Sequence, residues 1–187
     1  QEGATLQNVL YAALDCPKEF VYRPVNRLDK GTSGLMVVAL NAHAQQLLQK
    51  QLHTDAFTRE YLAVCRGAPE TNGGRIDLPI AKAGDGARRI VSLTGKPAAT
   101  RFWVVRRGKT TSMLRLRLET GRTHQIRVHL AAMGCPIVGD YLYGAPCDAL
   151  PGRFALHAAF VSFRHPLTGA LIAAESPLPP ELAAQSD

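Results

Sequence analysis

The most informative stretch of the chain is Asn26-Arg27-Leu28-Asp29-Lys30-Gly31-Thr32-Ser33-Gly34, a polar loop that directly precedes an apolar run. That run, Leu35–Leu40, is rich in valine and has the length of a buried strand. The two glycines of the loop permit backbone angles that are closed to other residues. Neighbouring cations favour the ionised form of Asp29, and an ionised carboxylate can act as a nucleophile. The alternative is a tight turn in which Asp29 only accepts hydrogen bonds from backbone N–H groups.

A second polar stretch begins a predicted helix and reads Thr120-Gly121-Arg122-Thr123-His124-Gln125-Ile126-Arg127-Val128-His129-Leu130. We expect this helix over residues 123–133, with Thr123 as its cap. His124 and Arg127 then share one helix face at a spacing of three residues. Arg122 precedes the helix N-terminus, where anions bind readily. A helix with an ordinary exposed charged face is the other interpretation.

The remaining pattern mixes strands and helices. Met113–Leu118 is the clearest strand, because leucines alternate with Arg115 and Arg117, so one face is apolar and the other basic. Asn41 can cap a helix over Ala42–Leu52. Further strands are predicted at Tyr61–Cys65, Thr100–Arg107, Phe154–Arg164 and Ala170–Ala174, and loops at Asn72–Gly74 and Gly84–Gly86. This order predicts an α+β fold with a mixed, largely antiparallel sheet flanked by helices.

Charge is distributed unevenly along the 187 residues, which carry a net charge of +7. The stretch from Asp85 to His129 contains eleven Lys and Arg residues, and its only acids are Asp85 and Glu119. A field of one sign attracts polyanions, and contact with phosphates is a common reason for it. A surface that merely keeps the protein soluble is the alternative.

Several other classes of protein are disfavoured. The four cysteines are Cys16, Cys65, Cys135 and Cys147. Their spacing suits neither a zinc site nor a disulfide framework, so we expect free thiols in a reducing cytosol. His124 and His129 lack the spacing of helical zinc motifs, and no nucleotide-binding glycine motif is present, so neither a metal nor a cofactor is expected. The apolar runs are too short to cross a membrane and Gln1–Phe20 lacks the basic start of a secretion signal, which favours a cytoplasmic protein.

Taken together, four segments resemble the RluA-type pseudouridine synthases. In chain order they are Arg27–Leu35, Arg59–Ala63, Gly121–Leu130 with its continuation Gly139–Gly144, and Leu156–Ala158 with His165-Pro166. The first resembles the catalytic signature of that family, and the second resembles a motif built around a tyrosine, here Tyr61. The match runs from about Tyr22 to Gly169, which is most of the chain.

The resemblance implies isomerisation of uridine to pseudouridine in structured RNA, either ribosomal or transfer RNA, without a cofactor or a metal. It implies that Asp29 is the nucleophile and that Arg127 pairs with it and keeps it ionised. Tyr61 would stack on the uracil and help remove the C5 proton. Arg27 would help extrude the target nucleotide from its stack and fill its place. Further contacts with RNA are expected from Arg115, Arg117, Arg122, Thr123 and His124.

Two departures from the family pattern are visible. Asn26 stands where many relatives carry His, a position that flanks the nucleophile without a core catalytic role. The residues before Tyr22 are too few for the S4-type RNA-binding module that many relatives carry. We therefore expect residues 1–187 to form a single catalytic domain without an S4 module, and a monomer.

Two other functions compete with this one. The first is a non-catalytic RNA-binding protein on the same fold, although the presence of Asp29, Tyr61 and Arg127 together argues against a decayed enzyme. The second is a hydrolase that uses Asp29 on a glycosidic bond. Such enzymes usually need a second carboxylate as general acid, for which Glu60 and Asp140 are the candidates.

Overall fold

A computed structural model describes residues 5–14, 21–84 and 86–187. The helices are α1 Leu6–Ala13, α2 Ala42–Gln51, α3 Gln125–Ala132 and α4 Pro180–Ala183. The strands are β1 Arg23–Pro24, β2 Ser33–Gly34, β3 Val38–Ala39, β4 Phe57–Arg66, β5 Gly73–Asp77, β6 Ile80–Lys82, β7 Arg89–Val91, β8 Ala99–Arg107, β9 Thr111–Leu118, β10 Leu156–Arg164 and β11 Leu171–Glu175. None of the helices in these ranges is long and apolar enough to cross a membrane. The predictions for Cys16, for Asp85 and for part of Gln1–Phe20 fall outside the described residues.

One large sheet organises the fold, with the strand order β11-β10-β4-β9-β8-β5 and with β2 joined to β10. Neighbours along this order are antiparallel, whereas β2 runs parallel to β10. Two small two-stranded sheets, β1 with β3 and β6 with β7, lie beside it. Helix α2 lies against β1, β3 and β10, and α3 lies against β7 and β8. The predicted α+β fold with a largely antiparallel sheet is confirmed.

The alternating strand β9 forms the middle of the core. Leu114 and Leu116 are fully buried, whereas Arg115 between them is exposed, as a period of two requires. They pack with Val64 of β4 and Leu130 of α3 in the largest apolar cluster. Burial on this scale stabilises by about 1.5–3 kcal/mol for each large side chain. The sheet is therefore a rigid platform on which β4 and α3 present their polar residues.

A smaller apolar cluster supports the loop that contains Asp29. Val25 and Val37, on either side of this loop, pack against Leu48 of α2 and Phe57 of β4. Helix α2 begins as predicted, because the Oδ1 atom of Asn41 accepts the backbone N–H of Ala44 at 2.8 Å.

The prediction of one buried strand over Leu35–Leu40 is wrong. The run is divided between two sheets, because its start continues the pairing of β2 with β10 while its end, β3, pairs with β1. The backbone N–H of Leu35 accordingly bonds to the carbonyl of Ala158, and the side chain of Leu40 is exposed.

Two other local predictions also differ from the structure. The loop predicted at Asn72–Gly74 is largely the start of β5, where Gly74 lies against the ring of Phe102 and leaves little room for a side chain. The helix predicted from Thr123 begins at Gln125, so Thr123 is not its cap. The reason is that His124 adopts a left-handed backbone angle, and the side chain of Gln125 instead accepts the backbone N–H of Arg122 at 2.9 Å.

Candidate active site

Asp29, Tyr61 and Arg127 line one cavity, although they are far apart in the chain. Asp29 comes from the loop between β1 and β2, Tyr61 from β4, and Arg127 from α3. The side chains of Arg27, Arg122 and His124 line the same cavity. Six of the nine residues predicted for the site are thus brought together.

The loop that holds Asp29 is fixed at both ends. Its β2 end lies directly on the backbone of β10, and a Cβ atom on Gly34 would lie 2.2 Å from the carbonyl oxygen of Ala158. Gly34 also has a φ of 104°, so only glycine fits here. The Oγ atom of Ser33 lies 2.9 Å from Nδ1 of the buried His157 and accepts a hydrogen bond from Arg153 at 3.0 Å. These contacts hold the loop in one place relative to the sheet.

Arg127 is bound between two carboxylates and two aromatic rings. Its Nη1 atom lies 3.3 Å from Asp29, while Nε and Nη2 donate to the two oxygens of Asp140 at 2.7 and 2.8 Å. The guanidinium carbon lies 5.0 Å from the ring centre of Tyr143 and 4.3 Å from that of Phe154. Burial acts to lower the pKa of Arg127, but the hydrogen bonds and charge of Asp140, followed by Asp29, raise it above its ordinary value. The Arg127 side chain is therefore a fixed cation, and its Nη1 atom is directed at Asp29.

Tyr61 lies in the centre of the sheet, where β4 pairs with Leu116 on one side and Ala158 on the other. Only 5% of its surface is exposed, and this residue reaches the cavity. Burial raises the pKa of the Tyr61 hydroxyl, with Arg59 opposing and Asp29 adding to the shift. Near neutral pH the side chain is therefore a protonated phenol in the wall of this cavity.

His124 is held in an uncommon backbone conformation at the start of α3. Its φ of 57° is the only positive value at a non-glycine residue in the described ranges. Nδ1 lies 2.8 Å from the hydroxyl of Tyr143, and that hydroxyl accepts the backbone N–H of Arg89 at 2.8 Å. The hydroxyl proton can therefore be donated to Nδ1, which leaves Nε2 as a donor. Burial lowers the pKa of His124, so the ring is neutral near pH 7.

Three predicted contact residues do not line the cavity that Asp29, Tyr61 and Arg127 share. Thr123 lines two neighbouring cavities, one of which also reaches Asp29. The Arg115 guanidinium stacks 5.1 Å from the ring centre of Trp103 and lies 4.0 Å from Glu60. Arg117 lies 3.6 Å from Asp55. The basic face of β9 is thus partly neutralised by acids from neighbouring segments.

Neither candidate for a second catalytic carboxylate is placed to act as one. Asp140 is fully buried, and beyond its two bonds to Arg127 its Oδ1 atom accepts the backbone N–H groups of Leu142 and Tyr143. Both of its oxygens accept hydrogen bonds in the interior and its side chain does not line the cavity, so it is not placed to protonate a leaving group there. Glu60 precedes Tyr61 on a strand, so it points to the opposite face of the sheet from the cavity. The geometry therefore argues against a two-carboxylate glycosidase.

The sequence allowed His129 to be a packing residue, but it did not indicate the hydrogen bonds that support α3. The amide of Gln125 donates to the carbonyl of Ala99 and to Thr100, at 2.9 and 3.0 Å, and Thr100 lies 2.9 Å from Nδ1 of His129. Nε2 of His129 donates to the carbonyl of Leu78 at 3.0 Å. His129 is therefore a buried structural residue. The sequence signal that could have indicated this role was that His129 lies in the same motif as Arg127. Asp140 and Tyr143 also lie in a recognised motif, but nothing in it indicated their partner.

No group of three or more His, Cys, Asp or Glu side chains suited to a metal ion occurs within residues 5–14, 21–84 and 86–187. The cysteines at 65, 135 and 147 are free thiols.

Comparisons with known proteins identify the relatives of this chain. The model of the RNA pseudouridylate synthase family matches residues 4–132. Ribosomal large subunit pseudouridine synthase D of Haemophilus ducreyi is 42% identical over 195 residues, which cover 95% of this chain and 59% of that relative. This chain thus spans less than two thirds of the relative's length.

Two solved human structures share the fold. RNA pseudouridylate synthase domain containing 1 has a TM-score of 0.79 at 29% identity, with 97% of this chain and 78% of that one covered. RNA pseudouridylate synthase domain containing 4 has a TM-score of 0.75 at 23% identity, with 95% and 79% covered. The RluA-type resemblance of the sequence is confirmed, and the chain belongs to the RNA pseudouridylate synthase family.

Proposed function

We propose that this protein isomerises uridine to pseudouridine in structured RNA, with Asp29 as the nucleophile. The observation that carries the proposal is the cavity in which the Asp29 carboxylate lies 3.3 Å from the buried Arg127 guanidinium, beside the ring of Tyr61. Membership of the family supports the same reaction.

In the proposed reaction the target nucleotide turns out of its stack, because a stacked base hides its reacting atoms. Asp29 attacks either the ribose or the uracil ring, and the bond between C1′ and N1 breaks. The base then rotates, C5 bonds to C1′, and the bond to Asp29 breaks and returns the free carboxylate. The C5 proton leaves and N1 gains a proton. Atoms and electrons balance without an oxidant, a reductant or a further reactant.

Three side chains have distinct roles in this proposal. Arg127 fixes the direction of the Asp29 carboxylate, which lies 3.3 Å from its Nη1 atom. Tyr61 provides the surface on which the uracil stacks. Its raised pKa keeps the phenol protonated near neutral pH, where it cannot accept a proton, so stacking is its main contribution. Arg27, which is exposed at the rim of the cavity, fills the space that the flipped nucleotide leaves. Arg122 and His124 complete the polar rim around the base.

Ribosomal RNA is the substrate to test first, because the relative from Haemophilus ducreyi is named for the large ribosomal subunit. Transfer RNA is the second candidate. We propose further that the described fold acts as one domain, as a monomer and in the cytoplasm. Light scattering of the purified protein with and without RNA tests the monomer.

The decisive experiment uses unmodified ribosomal RNA transcribed with tritium at uridine C5. We expect the native protein to release tritium to water, and Asp29→Asn to release none while it still binds RNA and melts at the native temperature. Asp148→Asn is the matched control, because Asp148 is an exposed carboxylate outside the cavity and belongs to no ion pair among the described residues. Its release should equal that of the native protein.

Two outcomes would overturn the proposal. Binding without tritium release, from both ribosomal and transfer RNA, would make the protein a non-catalytic RNA-binding protein. Free uracil or an abasic site among the products would make it a glycosidase.

A further inference from the structure

A second polar cavity of about 370 Å³ adjoins the one around Asp29. Both share Arg27, Asp29, Tyr61 and Arg122 in their walls, so a ligand in one is adjacent to a ligand in the other. The second cavity adds Arg59 and His53 to these residues, together with Gln49, Leu52 and Gly121.

Arg59 in this wall is a buried cation without a carboxylate. Its side chain lies on the same face of β4 as Tyr61, two residues away, and only 7% of the residue is exposed. Nη2 donates to the carbonyl of Leu52 at 3.2 Å, whereas the buried Nε has no acceptor among the described residues. Burial lowers the pKa of Arg59, which reflects the cost of holding this charge away from water.

The groups around Arg59 add positive charge. The position that a Cβ atom on Gly121 would take lies 3.5 Å from both Nη1 of Arg59 and Cε1 of His53, so the three residues meet at one point. The side chain of Arg122 lines the same wall, and among the described residues it donates only to the carbonyl of Pro97, at 3.0 Å. Neither Arg59 nor Arg122 belongs to any ion pair among the described residues. The one carboxylate in the wall, Asp29, is paired with Arg127.

We propose that Arg59, Arg122 and His53 bind a phosphodiester group of the RNA that flanks the target uridine. This rests on the proposed function for the identity of the ligand, but the anion site itself stands on the geometry. A phosphate accepts several hydrogen bonds at once and matches the planar fork of arginine. It would satisfy the orphaned donor of Arg59 and balance the charge of this wall. The site would fix the backbone beside the flipped nucleotide and so set the depth at which the base enters.

The first test uses inorganic phosphate and needs no RNA. Partial burial, followed by the charges of Arg59 and Arg122, lowers the pKa of His53. Phosphate bound among these groups should raise it, as measured by proton NMR of the ring, with the signal assigned by its loss in His53→Gln. Arg59→Gln should abolish the response, whereas Arg106→Gln should retain it. Arg106 is a matched control because it is exposed at the far end of β8, where it donates to Ser186.

The second test measures how the affinity for unmodified ribosomal RNA depends on salt. Loss of one phosphate contact should reduce the slope of log K against log[salt] by roughly 0.7–0.9. We expect that reduction for Arg59→Gln and also for Arg122→Gln, a partly exposed position that tests the site independently of the folding of the Arg59 variant.

The results separate this inference from the proposed function. A His53 signal that ignores phosphate, together with native salt slopes in both variants, would overturn the anion site even if tritium is released. A His53 response that depends on Arg59, in a protein that releases no tritium, would support the anion site and overturn only the reaction.

Discussion

Two buried arginines lie in the walls of the candidate site, and the protein treats them differently. Arg127 on α3 meets two carboxylates and two aromatic rings. Arg59 on β4 meets one carbonyl, and the ring centre of Phe57 lies 5.9 Å from its guanidinium carbon. Both are almost removed from water, with 3% of the Arg127 side chain and 7% of the Arg59 residue exposed.

The two walls differ in whether the protein itself supplies a partner for the buried charge. The wall around Arg127 is complete, because Asp140 balances its charge before any substrate arrives. The wall around Arg59 is incomplete, because its charge and its Nε donor lack a partner within the described chain. A complete wall positions a reacting group, whereas an incomplete wall binds a group that the substrate supplies. Substitutions in the wall around Arg127 should therefore mainly lower stability, whereas substitutions in the wall around Arg59 should mainly lower RNA affinity.

The largest effect is expected from Asp140→Asn in the complete wall. The amide would set an N–H group against the guanidinium and leave Arg127 without its main counter-charge. Breaking a buried pair in this way costs about 3–5 kcal/mol of unfolding free energy. Urea unfolding should show that loss, and tritium release should fall with it because Arg127 no longer holds Asp29.

Asp77→Asn is the control for this substitution. Asp77 also pairs with an arginine, Arg75, but both side chains are largely exposed, at 59% and 44%. An exposed pair contributes less than about 1 kcal/mol. A loss in Asp140→Asn as small as the control's would show that the wall around Arg127 does not depend on its carboxylate.

Part of the wall around Arg127 could be predicted from the sequence. The motifs around Asp29, Tyr61 and Arg127 predicted that these residues share a site, and the alternation of leucines predicted the buried face of β9. The pairing of Arg127 with Asp140 could not be predicted, because the two residues lie 13 positions apart on either side of the end of α3 and no local periodicity relates them.

The incomplete wall was even less accessible to sequence reasoning. Arg59, His53 and Gly121 come from three segments, and their meeting depends on where α2 and β9 end. Cross-strand neighbours caused a related difference at Arg115 and Arg117. The strand pattern predicted a basic face, but the register of β4 and the turn before it bring Glu60 and Asp55 to that face. Such neighbours are set by the tertiary fold and not by the strand's own sequence.

A smaller effect concerns the pH dependence of stability, to which the buried His129 on α3 contributes. Burial lowers the pKa of His129, so the folded protein resists a proton that the unfolded chain accepts below about pH 6.5. The free energy of unfolding should therefore fall as the pH falls from 7.5 to 5.5, by at most about 1.4 kcal/mol per pH unit for this one proton. The lowered pKa values of His53 and His124 add in the same direction.

Urea unfolding at several pH values separates these contributions. His129→Gln should give a shallower dependence of stability on pH than the native protein, whatever its absolute stability. His43→Gln, at an exposed position on α2, should leave the native slope unchanged. Equal slopes for all three proteins would mean that His129 accepts its proton in the folded state.

The smallest change in stability is expected for Arg59→Met in the incomplete wall. Methionine keeps an unbranched apolar stem against Phe57 and removes a buried charge that has no counter-ion. The lost hydrogen bond to Leu52 is worth about 1 kcal/mol, and removal of the uncompensated cation offsets it. Urea unfolding should give a stability within about 1 kcal/mol of the native protein, while RNA affinity falls. A loss of 3 kcal/mol or more would instead make Arg59 a structural residue, and the two walls would then differ in their partners but not in their purpose.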